Sequence, residues 1–203
     1  MDKQEYIAKR VALELKDNTV VNLGIGLPTK VANYMPKDIN IYFQSENGFI
    51  GLTNDHIDQY TVNAGGQPCG ILPGGCFFDS CMSFGIIRGG HVDLTVLGAL
   101  QVDMEGNIAN YMIPGKLVPG MGGAMDLLRG SKRVIVAMEH TVKGSPKILK
   151  KCNLPLTAPK AVDLIITEMC VIEVVQNGLK VIEINPEYNI NDIKNATEAE
   201  LII

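Results

Sequence analysis

The side chain best placed to do chemistry is the carboxylate of Glu46. It follows residues 40–43, a run rich in β-branched and aromatic side chains that predicts a buried strand. The segment Ser45-Glu46-Asn47-Gly48 then predicts a tight turn, because Asn and Gly tolerate positive φ and the Ser hydroxyl can bond nearby amides. Ligands of open α/β sheets bind outside the carboxyl ends of the strands, where this carboxylate would lie. The alternative is a solvated glutamate in a surface turn.

Two glycine-rich segments are the next candidates. Residues 24–26 separate a predicted strand from a predicted helix, a position where helix amides can meet a phosphate or an oxyanion. This segment has neither the third glycine of a dinucleotide fingerprint nor the Gly-Lys-Ser/Thr of a P-loop, so a tight turn is the better prediction. The second segment, residues 115–123, precedes a short predicted helix.

The elements that would position these residues alternate between strand and helix. Such alternation favours an α/β fold, with an open, mostly parallel sheet flanked by helices. Residues 51–91, dense in Gly, Asp, Asn and Pro, predict several short strands and loops before a helix. The predicted helices are 3–16, one ending near 35, 80–87, 125–129 and one within the tail 189–202; the predicted strands are 19–23, 40–43, 92–97, 133–138, 161–167, 171–175 and 179–184.

Composition narrows the function classes. A chain of 203 residues with 46% hydrophobic and 20% charged residues fits one globular domain, which we expect to cover residues 1–203. The net charge of −4 gives no basic footprint for nucleic acid, and no apolar run is long enough to predict a membrane span. Five cysteines without a Cys-x-x-Cys pair predict reduced thiols and a cytoplasmic location. Cys76 and Cys81 have only His91 as a nearby further ligand, so no metal site is predicted.

The chain resembles the β subunit of family I coenzyme A (CoA) transferases. The Ser45-Glu46-Asn47-Gly48 segment, preceded by Phe-Gln and followed by two apolar residues and a glycine, resembles the glutamate motif of that family. Further similar segments follow in the same order, and the likeness covers most of residues 5–185. They are residues 73–75, 83–84, 87–91, 97–103, 113–116, 120–126 and 151–157. The loop at residues 53–60 is short compared with the family pattern, which leaves substrate choice open.

The resemblance implies transfer of CoA from an acyl thioester to a free carboxylic acid. Glu46 would be the nucleophile of a ping-pong reaction, and the amide of Gly123 would donate to the tetrahedral oxyanion. Ser45, Asn47 and Gly48 would support Glu46 or the substrate, although a simple turn function explains them nearly as well. Gly122 would contact the substrate beside Gly123, or the two glycines would form only a turn that leads into the helix.

The resemblance also implies partners and substrates. The chain would need a CoA-transferase α subunit, which supplies a second oxyanion donor, and would assemble as α2β2. Acetoacetate, butyrate and acetate all remain open as the acid, with the CoA thioester as a substrate and no permanently bound cofactor. Four lysines are candidates for the CoA phosphates, with a solvated helix face as the alternative: Lys143, Lys147, Lys150 and Lys151. Two other functions are a non-catalytic ligand-binding module of the same fold and an acyl-CoA hydrolase.

Overall fold

The structure is a computed structural model that describes residues 2–116, 118 and 120–203. Its helices are α1 (Lys3–Ala12), a 3-10 helix (Leu27–Tyr34), α2 (Ser80–Arg88), α3 (Ala124–Gly130) and α4 (Ile190–Ala196). Its strands are β1 (Thr19–Leu23), β2 (Ile41–Ser45), β3 (Phe49–Val62), β4 (Pro68–Phe77), β5 (Leu94–Leu97), β6 (Gln101–Asp103), β7 (Ile108–Ala109), β8 (Val134–Ala137), β9 (Thr141–Val142), β10 (Ser145–Pro146), β11 (Ile148–Leu149), β12 (Leu164–Ile166), β13 (Cys170–Val175), β14 (Gly178–Ile184) and β15 (Leu201–Ile202).

One large mixed sheet organises the described residues. Its strand order is β15-β14-β13-β12-β8-β5-β1-β2-β3-β4. The five central strands, from β12 to β2, are all parallel, whereas β13 and β14 on one side and β3 and β4 on the other pair antiparallel. The predicted α/β fold with a mostly parallel sheet is therefore confirmed. From β1 the chain first adds β2, β3 and β4 on one side of the sheet, and then β5, β8 and β12 on the other. In an open sheet the binding crevice lies where this direction reverses, which here is at the carboxyl ends of β1 and β5.

Apolar layers cover both faces of the central strands. Along β8, Ile135 and Ala137 pack with α1 and the 3-10 helix, whereas Val134 and Val136 pack with α2, α3 and α4. This alternation is the two-residue period of a strand buried on both faces, and it explains why β5 and β8 are apolar almost throughout. The carboxyl ends of the central strands thus emerge from a core that is packed on both faces of the sheet.

The structure differs from the sequence predictions mainly in element lengths. Helix α1 ends at Ala12, because Glu14 N–H bonds Val11 O in a tightened last turn and Asn18 soon adopts a positive φ of 58°. The helix predicted to end near residue 35 is a 3-10 helix. The tail contains β15 in addition to α4.

The largest difference is the segment predicted as several short strands. It forms two long antiparallel strands, β3 and β4, whose pairing register shifts at three places. Such bulges insert unpaired residues and bend a strand without ending it, so the Gly, Asn and Asp residues that predicted breaks are accommodated inside the strands.

Candidate active site

Glu46 lies directly after β2, at the carboxyl edge of the parallel strands. Strand β2 pairs with β1 in a register that sets Gln44 beside Asn22. Both of these polar side chains are buried, with 3% and 1% of their surface exposed, whereas Glu46 is half-buried. The glutamate therefore has one side against the protein and another open to a ligand.

Two donors hold Glu46 at opposite ends. Asn22 Nδ2 donates to the carboxylate oxygen Oε2 at 3.2 Å, and Ser83 Oγ donates to the Glu46 backbone carbonyl at 2.8 Å. Ser83 lies on α2, whose first turn is capped by the side chain of Asp79 accepting from Met82 N–H. The carboxylate is consequently fixed from β1 and the backbone from α2.

Gln44 connects these two donors. Its Oε1 accepts from Asn22 Nδ2 at 2.8 Å, and its Nε2 donates to Ser83 Oγ at 3.2 Å. None of Asn22, Gln44 and Ser83 was predicted from the sequence to be a site residue. The signal that could have found the first two is the isolated amide side chain near the end of each of two otherwise apolar strands.

Gly123 faces the side chain of Glu46. A Cβ added at Gly123 would lie 3.1 Å from Cγ and 3.6 Å from Cδ of Glu46. Gly123 is the N-cap of α3, is buried, and its N–H makes no hydrogen bond to the described residues. The structure thus brings together the two residues predicted to be catalytic. Gly122, by contrast, is exposed, and a Cβ there would meet nothing within 4 Å.

The other three predicted residues, Ser45, Asn47 and Gly48, shape the turn. The Ser45 hydroxyl donates to Asn47 Oδ1 at 2.6 Å and accepts from Ala64 N–H at 3.0 Å, while Asn47 Nδ2 donates to Val62 O at 2.8 Å. These bonds tie the Glu46 turn to the segment that joins β3 and β4.

Gly48 has a backbone role. Its φ is 128°, and a side chain there would collide with the carbonyl oxygen of Phe78. Only glycine fits this position without strain, so the structure supports the turn role that the sequence left open for Gly48.

A cavity of about 170 Å³ lies beside Ser45. Its walls combine apolar side chains, among them Leu23, Phe43 and Leu52, with the segment that joins β3 and β4. Glu46 does not line it. The cavity therefore lies next to the Glu46 turn and does not enclose the Glu46 carboxylate.

The four candidate phosphate-binding lysines are separated by the fold. Lys143 and Lys147 line a cavity of about 330 Å³ beyond the carboxyl ends of β5 and β8. Lys150 and Lys151 line another, of about 700 Å³, beside the β13–β14 turn. That turn lies beyond the start of β12, at the opposite edge of the sheet from Glu46. The helix-face alternative is wrong, because this segment forms the short strands β9, β10 and β11.

Lys147 also differs from a solvated lysine in its electrostatics. Its side chain is half-buried, and burial lowers the pKa of its amino group, against the opposing effect of Glu139 and Glu168. Of the four lysines, Lys143 and Lys147 lie at the same edge of the sheet as Glu46, where they could meet an anion.

The described residues contain no group of three or more His, Cys, Asp or Glu side chains arranged to hold a metal ion. The five cysteines are free thiols, Cys76 and Cys81 among them on the surface. Within the same part of the chain, no helix combines the length and the apolar character needed to cross a membrane.

Comparison with known proteins decides the family. Residues 4–196 match the family model described as coenzyme A transferase. The chain belongs to the coenzyme A transferase family. It is 56% identical to the beta subunit of the acetate CoA-transferase of Haemophilus influenzae, a match that covers 100% of this chain and 93% of that protein. It is 48% identical to one of the subunits of the succinyl-CoA:3-ketoacid coenzyme A transferase of Helicobacter pylori, covering 97% of each.

Solved structures share the fold of this transferase chain. An acyl-CoA transferase from Escherichia coli O157:H7 superposes with a TM-score of 0.79 at 21% identity, over 100% of this chain and 42% of the other. The decarboxylase AibA/AibB superposes with a TM-score of 0.72 at 19% identity, over 98% of this chain and 84% of that one. Because the fold also carries a decarboxylase, the function must be argued from sequence family and site. The resemblance to the CoA-transferase β subunit is confirmed.

Proposed function

We propose that this chain is the nucleophile-bearing subunit of a CoA transferase that acts on short-chain acyl groups through a glutamyl-CoA thioester on Glu46. The observation that carries the proposal is the position of Glu46: half-buried, held by Asn22 and Ser83, and packed against Gly123. A glutamate that served only as a solvated turn residue would need none of these contacts.

The proposed chemistry moves CoA in two symmetrical halves. A Glu46 carboxylate oxygen attacks the thioester carbonyl carbon of the donor. The C–S bond then breaks, so that CoA leaves as the thiolate and the acyl group remains on Glu46 as an acyl-glutamyl anhydride. The thiolate then attacks the glutamyl carbonyl, which forms the enzyme-CoA thioester and releases the donor's acid as a carboxylate. The acceptor carboxylate reverses both steps, yielding its own CoA thioester and free Glu46.

Each addition creates a tetrahedral oxyanion that needs preorganised donors. The Gly123 N–H is the candidate within this chain, because it lies beside the Glu46 side chain and has no described partner. Loss of one such donor typically costs about 100-fold to 1,000-fold in rate. Gly122 would leave this amide accessible by carrying no side chain, and Ser45, Asn47 and Gly48 would hold the turn that presents Glu46.

The proposed enzyme also needs a second, different chain, the α subunit. Both bacterial relatives are named as single subunits of their transferases, which supports an α-subunit partner for this chain. We propose that the partner supplies a second oxyanion donor, and that two copies of each chain assemble as α2β2. The names of the relatives support acetate and 3-ketoacids such as acetoacetate as acids, with butyrate a further candidate. A cytoplasmic location and one domain over residues 1–203 remain predictions from the sequence.

The test traps the covalent intermediate. The chain, assembled with its α partner, is incubated with acetoacetyl-CoA, treated with borohydride to reduce the glutamyl thioester to an alcohol, digested and analysed by mass spectrometry. We expect the reduced residue at Glu46 in the unsubstituted chain and no modified peptide in Glu46→Gln. Glu46→Asp keeps the carboxylate but withdraws it by one methylene, so we expect a strongly reduced yield.

Glu105→Gln is the matched control, since Glu105 is an exposed glutamate in the β6–β7 turn and lines the cavity beside the β13–β14 turn, away from Glu46. It should give the full yield at Glu46. Absence of any adduct from an assembled complex that binds CoA would refute the mechanism and support a ligand-binding module. An adduct that transfers its acyl or CoA group to water as readily as to an added acid would instead identify a hydrolase.

A further inference from the structure

Three buried side chains outside the predicted site form a closed hydrogen-bonded circuit with Glu46. We infer that Asn22, Gln44 and Ser83 orient the Glu46 carboxylate for attack. They form a chain of hydrogen bonds, called the relay below, in which Asn22 donates to Gln44, Gln44 to Ser83 and Ser83 to the Glu46 backbone. Gln44 is a positioning residue that acts through its two neighbours. This inference rests on the proposed role of Glu46 as the nucleophile. It assigns a role to three side chains that were not among the predicted site residues.

The direction of hydrogen-bond donation along the relay is set by the Glu46 backbone carbonyl. The Glu46 backbone carbonyl can only accept, so the single proton of the Ser83 hydroxyl is used at that 2.8 Å contact. Ser83 Oγ must then accept from Gln44, which turns the amide nitrogen of Gln44 towards α2 and its Oε1 towards β1. That oxygen requires a donor, and the donor is Asn22 Nδ2 at 2.8 Å.

Asn22 therefore presents N–H groups, and not oxygen, to the Glu46 carboxylate. Its two Nδ2 protons serve three acceptors, which are Gln44 Oε1, Gln44 O and Glu46 Oε2. The opposite amide orientation would place Oδ1 against three oxygens. The structure keeps the N–H orientation even though Asn22 Oδ1 is left buried without a partner among the described residues. An unpaired buried acceptor is unfavourable, so the three contacts on the Nδ2 side must outweigh its cost.

Burial makes the relay sensitive to each member. Asn22, Gln44 and Ser83 are 1%, 3% and 0% exposed, so no bulk water can replace a lost partner. Removing the Ser83 hydroxyl frees Glu46 O and also leaves Gln44 Nε2 without an acceptor. The Gln44 amide can then turn over, which withdraws the oxygen that orients Asn22. Ser83 bonds the backbone carbonyl of Glu46 and not its carboxylate, so it should influence the carboxylate through Gln44.

A double-mutant cycle tests this coupling. Ser83→Ala and Gln44→Met, singly and together, are assembled with the α partner and mixed rapidly with acetoacetyl-CoA, and glutamyl-CoA formation is followed by intact mass. With Gln44 present, Ser83→Ala should slow the saturated rate constant about 10-fold, whereas in the Gln44→Met background the same change should cost about threefold or less. The acyl-CoA concentration at half-maximal rate should not change, because none of the three residues is proposed to bind substrate.

Two further variants separate positioning from folding. Asn22→Asp replaces the donor by an oxygen facing Glu46 and should lower the rate constant about 100-fold or more, by analogy with the loss of a preorganised donor. Asn185→Asp is its control: Asn185 is also buried, at 5% exposure, and donates to Glu168 O away from Glu46. It should leave the rate constant unchanged in the folded fraction measured by thermal unfolding.

The outcomes distinguish the two proposals. No glutamyl-CoA in the unsubstituted complex would overturn the proposed function and this inference with it. Normal adduct formation with equal effects of Ser83→Ala in both backgrounds would overturn the relay alone. Rate losses that simply follow the loss of folded protein, in the Asn22 and Asn185 variants alike, would also overturn the relay while leaving Glu46 as the nucleophile.

Discussion

The backbone of Gly123 packs directly against the side chain of Glu46, with the position of a Cβ at residue 123 only 3.1 Å from Glu46 Cγ. Gly123 precedes α3, and Glu46 follows β2, so the contact joins two segments far apart in the sequence. The Glu46 side chain is also held by Asn22 Nδ2, which donates to its carboxylate oxygen Oε2 at 3.2 Å. Any atom added at residue 123 must therefore displace a side chain that is already held.

Gly123→Ala should impair the reaction more than the fold. Gly123 has a φ of −82°, which alanine adopts without strain, so the free energy of unfolding should change by less than about 1 kcal/mol. The added methyl group should push Glu46 aside by a few tenths of an ångström and lower the rate of glutamyl-CoA formation about 10-fold, since misplacement by about 1 Å can cost about 100-fold. Rapid-mixing mass spectrometry and urea unfolding measure the two effects.

Gly85→Ala is the control for that comparison. Gly85 is exposed on α2, and a Cβ there meets nothing within 4 Å. It should raise the free energy of unfolding by about 0.5–1 kcal/mol and leave the rate unchanged. Equal rates for both alanine variants would mean that the 123 position does not restrict Glu46.

Gly123→Pro examines the amide donor. Proline has a φ near −65°, close to the −82° of Gly123, and it adds carbon atoms as alanine does, but it lacks the N–H. If this N–H stabilises the oxyanion, the proline variant should be slower than Gly123→Ala by a further factor of about 100. The comparison is made on folded complexes of matched thermal stability, with CoA binding measured by calorimetry. Similar rates for the two variants would assign the donor to another group.

The positions of the central strands along the chain and the Glu46 turn could be predicted from the sequence, because both depend on local patterns. Alternating apolar segments predicted β1, β2, β5, β8 and β12, and the Asn-Gly pair predicted the turn. The relay could not be predicted in this way. Its geometry depends on the register that places Asn22 beside Gln44, and on α2 bringing Ser83 from a distant segment. Such long-range placement is decided by packing and not by any local pattern.

The lysines illustrate the same limit. Lys147 and Lys150 are three residues apart in the sequence, which makes them candidates for one shared anion. In the structure they line two different cavities, because the extended residues of β11 separate them. Side chains three residues apart share a face in a helix but point to opposite faces in an extended segment, and this segment is extended.

Thiol reactivity should follow burial. Burial raises the pKa of both Cys152 and Cys170 to about 12, with Asp103 contributing at Cys152. Cys69 is 1% exposed, and burial raises its pKa as well. Because the thiolate is the reactive form, iodoacetamide at about pH 8 should modify only the exposed Cys76 and Cys81 of the folded chain. Peptide mapping by mass spectrometry should find all five modified after unfolding in urea. Rapid modification of Cys152 or Cys170 before unfolding would contradict the prediction.

His140 should make the fold sensitive to acid. It is fully buried between β8, β12 and α4, with Nε2 2.8 Å from Thr197 Oγ1 and Nδ1 2.9 Å from Thr167 Oγ1. Thr197 donates its proton to Ile193 O, so Nε2 must carry a proton and donate to Thr197 Oγ1. In the neutral ring Nδ1 is then the acceptor, facing Thr167 Oγ1. A second ring proton would face Thr167 Oγ1, which already accepts from two backbone N–H groups.

Burial lowers the pKa of His140 from 6.5 to about 4, with Lys3 and Lys147 acting in the same direction and Glu168 against it. A histidine with a lowered pKa in the folded state contributes stability that is present above pH 6.5 and lost as the pH falls towards 4. The difference between these two pKa values corresponds to about 3 kcal/mol of unfolding free energy.

Urea unfolding at a series of pH values from about 7.5 down to about 4.5 should therefore show a steeper loss of stability in the unsubstituted chain than in His140→Gln. His91→Gln, which changes an exposed histidine, should keep the steep profile. Parallel profiles for the unsubstituted chain and His140→Gln would show that protonation of the buried ring is not what weakens the fold.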